Sequence, residues 1–358
     1  MPDTLVEPKK QEYNMVYSKP RIRIMAEFPL PVVYGGLELQ CLRTFSALQR
    51  KGIHVQLINY HNPDDEFDIL HIFGNPAGLY EIIFHAVKTK EVIISAVCGA
   101  QGLPGFRMRI RRMLSKAVNI VHQRTDYARL RFMFQSAAHV ICLNELEKQF
   151  IARNYVIPSS KLTIISNGVE KDYFLATPDC FFEKYRMKDF VLYTGNIVKR
   201  KNPLRLAMVL KKLGLKGVFI GNVFSAELEY GTHFEKVISS SPNLLWIKGL
   251  PHDDSLLVSA YAAASIFCLP SSGETQSLSS LEAMAIGTPI ILGDFPYAYQ
   301  PPLEGALRCN PEDKESIGNC IQQILGNPDK HRKYLPRTFT WENVATEVTK
   351  VYEKVAKI

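Results

Sequence analysis

Residues 270–285 read PSSGETQSLSSLEAMA and are flanked by the apolar runs SIFCL (265–269) and TPIIL (288–292). SIFCL is short, apolar and closed by Pro270, the pattern of a buried strand, and TPIIL is another. Between them LSSLEAMAI has helical length and stops at Gly287, a residue type that commonly ends helices. Strand, loop, helix and strand in this order predict a parallel sheet wrapped by helices. Two carboxylates stand eight positions apart, Glu274 in the loop and Glu282 on the second turn of a helix beginning near Ser277. Both can reach one elongated, polyhydroxylated ligand whose phosphates meet the free N–H groups of Ser277 to Ser279. The plainer alternative makes Glu274 an electrostatic cap and Glu282 half of a surface ion pair. The apolar setting weighs against it, because an acid within LEAMAIGTPIIL needs a hydroxyl or a cation as partner.

Outward from this unit the alternation continues. NLLWIKG, GVFIG and FVLYTG read as strands, SLLVSAYAAA and the stretch from Pro203 to Leu213 as helices. An irregular stretch around residues 175–188 separates this series from an earlier one. RIRIMA, HVQLIN, DILHIF, VIISAV, AAHVICL and KLTIISNGV are its strands, and a helix from Glu38 stops at Gly52. The expected organisation is a lead-in over residues 1–19, two Rossmann-like α/β domains over 20–180 and 181–338, and an amphipathic helix over 339–358 that packs back across the join. Two such sheets face each other across a cleft at the carboxyl ends of their strands, where their ligands bind.

Two further segments end strands on this cleft. Gly35 and Gly36 stand between the first strand and its helix, where paired glycines allow close backbone approach and free N–H groups suit a phosphate. They also serve plain turn chemistry, and the GxGxxG spacing of a dinucleotide fingerprint is missing. In LYTGNIVKRKNP, Gly195 turns the chain and Pro203 restarts a helix, so one or more of Lys199, Arg200 and Lys201 points into the crevice, or all three form a solvated face. Arg and Lys together can neutralise a diphosphate without metal.

The length of 358 residues suits two domains of ~100 to 200 residues. A hydrophobic fraction of 46% and a charged fraction of 22% exclude collagen-like, disordered and coiled-coil classes. Seven scattered cysteines without a CxxC argue against a disulfide framework or structural zinc and for a reducing compartment. MPDTLVEPKKQEYN lacks the apolar core of a signal peptide, and no apolar run reaches the ~18 residues of a membrane span. A cytoplasmic protein is expected, with peripheral attachment to the inner membrane face open to it.

Forty-three Lys plus Arg against 35 Asp plus Glu leave a formal +8, which calls for an anionic partner. Residues 107–131 hold eight bases (Arg107, Arg109, Arg111, Arg112, Lys116, Arg124, Arg129, Arg131) against Asp126, a net +7. Ile110, Met113, Leu114, Ala117, Val118 and Val121 recur at helical spacing there, giving a basic amphipathic helix. Its alternatives are attachment to anionic lipid, capture of a phosphate-bearing acceptor, or a solvated face. Nucleic acid ranks last, because no helix-turn-helix, RNP or zinc pattern accompanies the charge.

Taken together the segments resemble the retaining GT-B glycosyltransferases of family 4, from about Arg21 to the end. PVVYGGLELQCLRTFSALQRKGIHVQLI is similar to the family's glycine loop and first helix, KLTIISNGVEKDYF to its segment before the linker, and LYTGNIVKRKN to the start of its second domain. LPSSGETQSLSSLEAMAIGTPII matches its signature of two glutamates separated by seven residues, and FTWENVA the start of its terminal helix. The resemblance implies a metal-independent enzyme that transfers a sugar from a nucleotide diphosphate sugar to a glycan or lipid-linked acceptor in polysaccharide or glycolipid biosynthesis. It implies that Glu274 contacts the donor sugar, Glu282 the ribose, and Arg200 with Lys201 the diphosphate. Gly35, Gly36, Asn196, Thr275, Gln276, Ser277, Leu278 and Ser279 complete the expected donor site. The chain departs from the pattern at Asn196, where an arginine is frequent, at Ser277, where glycine is usual, and at Cys98, where many members carry histidine. The first and last of these motivate a second function, a catalytically silent GT-B subunit that positions or activates a partner transferase.

Overall fold

The computed structural model describes residues 20–27, 30, 35–62, 64–74, 76–98 and 125–356. Arg107, Arg109, Arg111, Arg112 and Lys116, and with them the expected basic helix, lie outside these residues.

The first sheet is built from β1 (Ile22–Ala26), β2 (Val55–Leu57), β3 (Ile69–Gly74), β4 (Glu91–Ala96), β5 (His139–Cys142) and β6 (Leu162–Ile164), in the order β2-β1-β3-β4-β5-β6. Every neighbour pair is parallel. Its helices are α1 (Gly36–Arg50), α2 (Tyr80–Ala86), α3 (Asp126–Ser136) and α4 (Glu145–Tyr155). Strands covered on both faces need apolar side chains on both, which is why ILHIFG is buried at every position. α1 starts two residues earlier than its apolar pattern indicates, at Gly36 after an extended Gly35. α3 starts at Asp126, where Thr125 is extended and its hydroxyl accepts the Ala128 N–H. The basic run through Arg131 is therefore not one continuous helix. Arg129 and Arg131 belong to α3, and the Arg129 guanidinium lies over the Tyr80 ring.

The second sheet comprises β7 (Phe190–Thr194), β8 (Gly217–Ile220), β9 (Leu244–Ile247), β10 (Ala264–Leu269), β11 (Ile290–Gly293) and β12 (Leu307–Cys309), ordered β12-β11-β10-β7-β8-β9 and again parallel throughout. Around it lie α5 (Asp179–Tyr185), α6 (Pro203–Leu213), α7 (Leu228–Ser239), α8 (Ser255–Ala263), α9 (Leu278–Ile286), α10 (Lys314–Gly326) and the short α11 (Pro328–His331). α6 has Pro203 at its first position and Gly214 in the left-handed region after its end, so its bounds coincide with those read from the chain. β12 was not foreseen: its three residues form an edge strand with only Cys309 fully buried, too short to show a period.

The last helix, α12 (Trp341–Ala356), returns to the first domain and packs along α1. Trp341, Ala345, Val348, Val351 and Tyr352 join Ile22, Ile24 and Phe73 in one core cluster. Tyr352 meets His71 on the face of the sheet that α12 covers; His71 Nδ1 lies 2.7 Å from the tyrosine hydroxyl while Nε2 lies 2.8 Å from Ser95 Oγ. Burial pushes this imidazole down to about 3, so it is neutral and the contact is an ordinary core hydrogen bond. Where the chain crosses between domains, Val169 N–H donates to Phe339 O at 2.9 Å and Val169 pairs with Thr340. A Cβ at Gly168 would stand 2.5 Å from the Thr340 carbonyl carbon, so only glycine lets the two crossings touch.

Candidate functional site

In the second sheet the strand order reverses between β7 and β10, and at such a switch point the loops leaving the two strands diverge and open a crevice. Here those loops are residues 195–202 and 270–277, the two segments singled out above. They are stitched together: Ser272 N–H donates to Arg200 O at 2.9 Å and Asn202 Nδ2 to Pro270 O at 3.1 Å. Gly195, at φ +137°, turns the first loop at the edge of β7 and leaves room for the Lys201 ammonium, which a Cβ there would meet at 3.1 Å.

One cavity collects most of the expected donor residues. Gly35, Gly36, Asn196, Lys201, Glu274, Gln276, Ser277, Leu278, Ser279 and Glu282 all line it, so the glycine turn of the first domain faces the two-glutamate loop of the second. Arg200 and Thr275 do not line it. Arg200 stands outside its wall, half-exposed, and reaches Glu274 from there, Nη1 to Oε1 2.9 Å. Thr275 turns its carbonyl toward the first domain, where Asn144 Nδ2 donates to it at 2.8 Å. The amide of Gln276 is likewise engaged across the cleft: Oε1 accepts Asn167 N–H and Nε2 donates to Ser166 Oγ, both at 2.8 Å.

α9 begins at the cavity. Ser277 is its N-cap, and its hydroxyl accepts the Ser280 N–H at 3.2 Å. The N–H groups of Leu278 and Ser279 belong to the first turn, which has no intrahelical acceptors, and they stand where the helix dipole favours an anion.

The two glutamates sit in different electrostatic surroundings. Glu274 is 11% exposed. Burial works to raise its pKa, but Lys201, 3.5 Å away, and Arg200 overcome it and hold the carboxyl below the ordinary value. Ser271 Oγ adds a hydrogen bond at 2.9 Å. Glu282 is 8% exposed on the second turn of α9. Burial pushes its pKa up to about 7, partly offset by the hydroxyl of Tyr261, which donates to Oε2 at 2.7 Å, and by Arg43. Tyr261 is itself held 2.5 Å from Thr194 Oγ1. The hydroxyl that an acid in this apolar helix requires is therefore supplied by α8.

Sequence reasoning did not single out Tyr261, Thr194, Asn144, Ser166 or Asn167. It also passed over Glu147, buried in α4. This carboxylate accepts Cys98 N–H at 2.6 Å on one oxygen and Leu143 N–H at 2.7 Å on the other, tying the ends of β4 and β5. Burial pushes it up to about 8. Cys98, in the place where the resembled family often carries histidine, is 4% exposed, and burial raises its thiol well above the usual range. It packs in the first-domain core as a small apolar residue.

Two parallel six-stranded sheets facing each other, a terminal helix that crosses back, and a cavity at the second switch point define a GT-B protein. Residues 181–338 match the model of the glycosyl transferases group 1 family. It is 33% identical over 111 residues to the MMP alpha-(1->4)-mannosyltransferase of Mycolicibacterium hassiacum, which is 28% of this chain and 27% of that one. Against the O-antigen chain mannosyltransferase RfbU of Salmonella typhimurium it is 23% identical over 203 residues, 56% of this chain and 54% of the relative. The chain thus spans from a quarter to about half of the length of these relatives. The sucrose-phosphate synthase of Thermosynechococcus elongatus superposes with a TM-score of 0.73 at 17% identity, covering 94% of this chain and 99% of that one. Among the described residues no helix is long and apolar enough to cross a membrane.

Proposed function

We propose that this chain is a retaining glycosyltransferase that moves a sugar from a nucleotide diphosphate donor to a glycan or lipid-linked acceptor in polysaccharide or glycolipid synthesis. The observation that carries the proposal is the convergence, at one switch point, of Glu274, Lys201, Arg200, the open start of α9 and Glu282. In the reaction the bond from the anomeric carbon to the phosphate oxygen breaks and its electron pair leaves with the diphosphate. The acceptor oxygen takes its place on the same face of the sugar, and its hydroxyl proton passes to the departing phosphate oxygen. Negative charge therefore grows on the leaving group, where Lys201, Arg200 and the N–H groups of Leu278 and Ser279 await it. Positioned cations and a helix start stabilise that charge without a metal ion in the step.

Glu282, fixed by Tyr261, takes the ribose hydroxyls, and Glu274 takes those of the sugar. The bonds of Asn144, Ser166 and Asn167 to Thr275 and Gln276 hold the acceptor domain against the donor loop. The basic residues 107–116 are assigned to an anionic acceptor or lipid surface on the cytoplasmic side of the membrane. The test is a screen of nucleotide diphosphate sugars for binding, slow hydrolysis and transfer. A wild-type chain that binds and hydrolyses none of them, with Glu282→Ala indistinguishable from it, refutes the proposal.

A further inference from the structure

The contacts of Glu274 are one-sided. All three fall on one oxygen: Oε1 takes Arg200 Nη1 at 2.9 Å, Lys201 Nζ at 3.5 Å and Ser271 Oγ at 2.9 Å. Arg200 and Lys201 are also the cations that the proposed function gives to the donor's diphosphate. The carboxylate and the Lys201 side chain are 11% and 18% exposed, so solvent screens their attraction little. A carboxylate and a diphosphate compete for these two cations, because like charges a few ångströms apart in a poorly solvated site repel. Lys201 is carried on a turn tied to the loop of Glu274. Its ammonium lies over Gly195, and the short turn Lys199–Lys201 that carries it is pinned by Ser272 N–H to Arg200 O. The group to be displaced is the Glu274 carboxylate, bound through one oxygen, while the loop that carries it is held through Thr275 and Gln276.

We propose that Glu274 is the internal counter-ion of the empty donor site: the diphosphate displaces it from Arg200 and Lys201, and the displaced carboxylate then receives the hydroxyls of the donor sugar. This rests on the donor reading above and adds an order to it. Diphosphate recognition precedes sugar recognition within one binding event, because a free sugar meets a carboxylate already held by cations. The same residue then weakens diphosphate binding and supports transfer, so its removal moves the two properties in opposite directions.

The experiment is isothermal titration of the full chain with inorganic pyrophosphate, UDP and GDP. The proteins are the wild type, Glu274→Gln, Glu274→Ala and the double variant Glu274→Gln with Arg200→Ala. Both single variants are expected to bind pyrophosphate several-fold more tightly than the wild type while sugar transfer falls, and the double variant is expected to lose the gain. Damage to the fold does not produce a gain in affinity, and the alanine variant guards against an effect peculiar to glutamine. Equal or weaker pyrophosphate binding in both single variants overturns the proposal. Turnover of a sugar nucleotide by the wild type without that gain removes the counter-ion alone. A gain with no sugar nucleotide bound or turned over removes the donor reading and leaves displacement by a diphosphate standing.

Discussion

The starts of two helices, one in each domain, carry the same ingredients and do different work. α4 has Asn144 as its cap and Glu147 buried on its first turn; α9 has Ser277 as its cap and Glu282 buried on its second. Burial raises both carboxyls, to about 8 and about 7. Glu147 has both oxygens on backbone N–H groups of its own domain, is fully buried and ties two strand ends together. Glu282 has one oxygen on a tyrosine hydroxyl and lines a cavity. A buried acid in an apolar helix is therefore not a sign of a binding site by itself. What distinguishes them is whether its oxygens are taken up by backbone donors inside one domain or by a side-chain hydroxyl at the wall of a cavity.

This contrast can be broken most directly at Glu147. Glu147→Ala leaves two buried N–H groups without acceptors, which costs about 3 kcal/mol of stability, read as a lower urea midpoint. Affinity for a nucleotide sugar in the folded fraction is expected to hold. Glu282→Ala is to do the reverse: nucleoside diphosphate affinity falls about 10- to 100-fold, the range for hydrogen bonds to a charged group, and the urea midpoint stays near wild type. If Glu147→Ala loses ligand binding and Glu282→Ala loses only stability, the assignment of roles is inverted. Asn144→Ala comes next, because it removes one bond to the donor loop at Thr275. The expected loss is about fivefold in turnover, one neutral hydrogen bond, with donor affinity less affected than transfer.

The pH dependence sharpens the same comparison with smaller effects. Glu147 has a folded pKa of about 8 against an ordinary 4.5. The raised value means its contribution to stability is present below 4.5 and lost as pH rises through about 8. The urea midpoint should therefore decline from pH 5 to pH 9, less steeply in Glu147→Gln. Glu282 acts on binding. If the ribose takes the ionised form, nucleoside diphosphate affinity rises several-fold between pH 6 and pH 8, and Glu282→Gln removes that part of the rise. A pH profile for Glu282→Gln identical to wild type refutes the role of the carboxylate.

Much of this site was legible in the chain because the relevant information is local. The switch-point loops carry their cations, hydroxyls and acids within a few residues of strand ends, and Pro203, Gly214 and Gly287 mark helix ends by rules that act over one turn. The apolar context of Glu282 even required a hydroxyl partner, without saying which. Tyr261 lies 21 residues away and reaches Glu282 only because α8 and α9 pack side by side. Asn144 and Thr275 are 131 positions apart and meet only through the facing of two domains. No period or cap encodes such a pairing. Glu147 was overlooked for a different reason: in ELEKQF it reads as one more polar residue of a surface helix, and only the ends of β4 and β5 turn it inward.

The crossing at Gly168 and Thr340 has a mechanical consequence. The outgoing and returning segments are joined by the Val169 to Phe339 hydrogen bond and in contact at Gly168, so the two passages of the chain between the domains are tied to each other. A bulkier residue at position 168 would wedge these two passages apart at a point distinct from the bonds of Asn144 to Thr275 and Gln276 to Ser166.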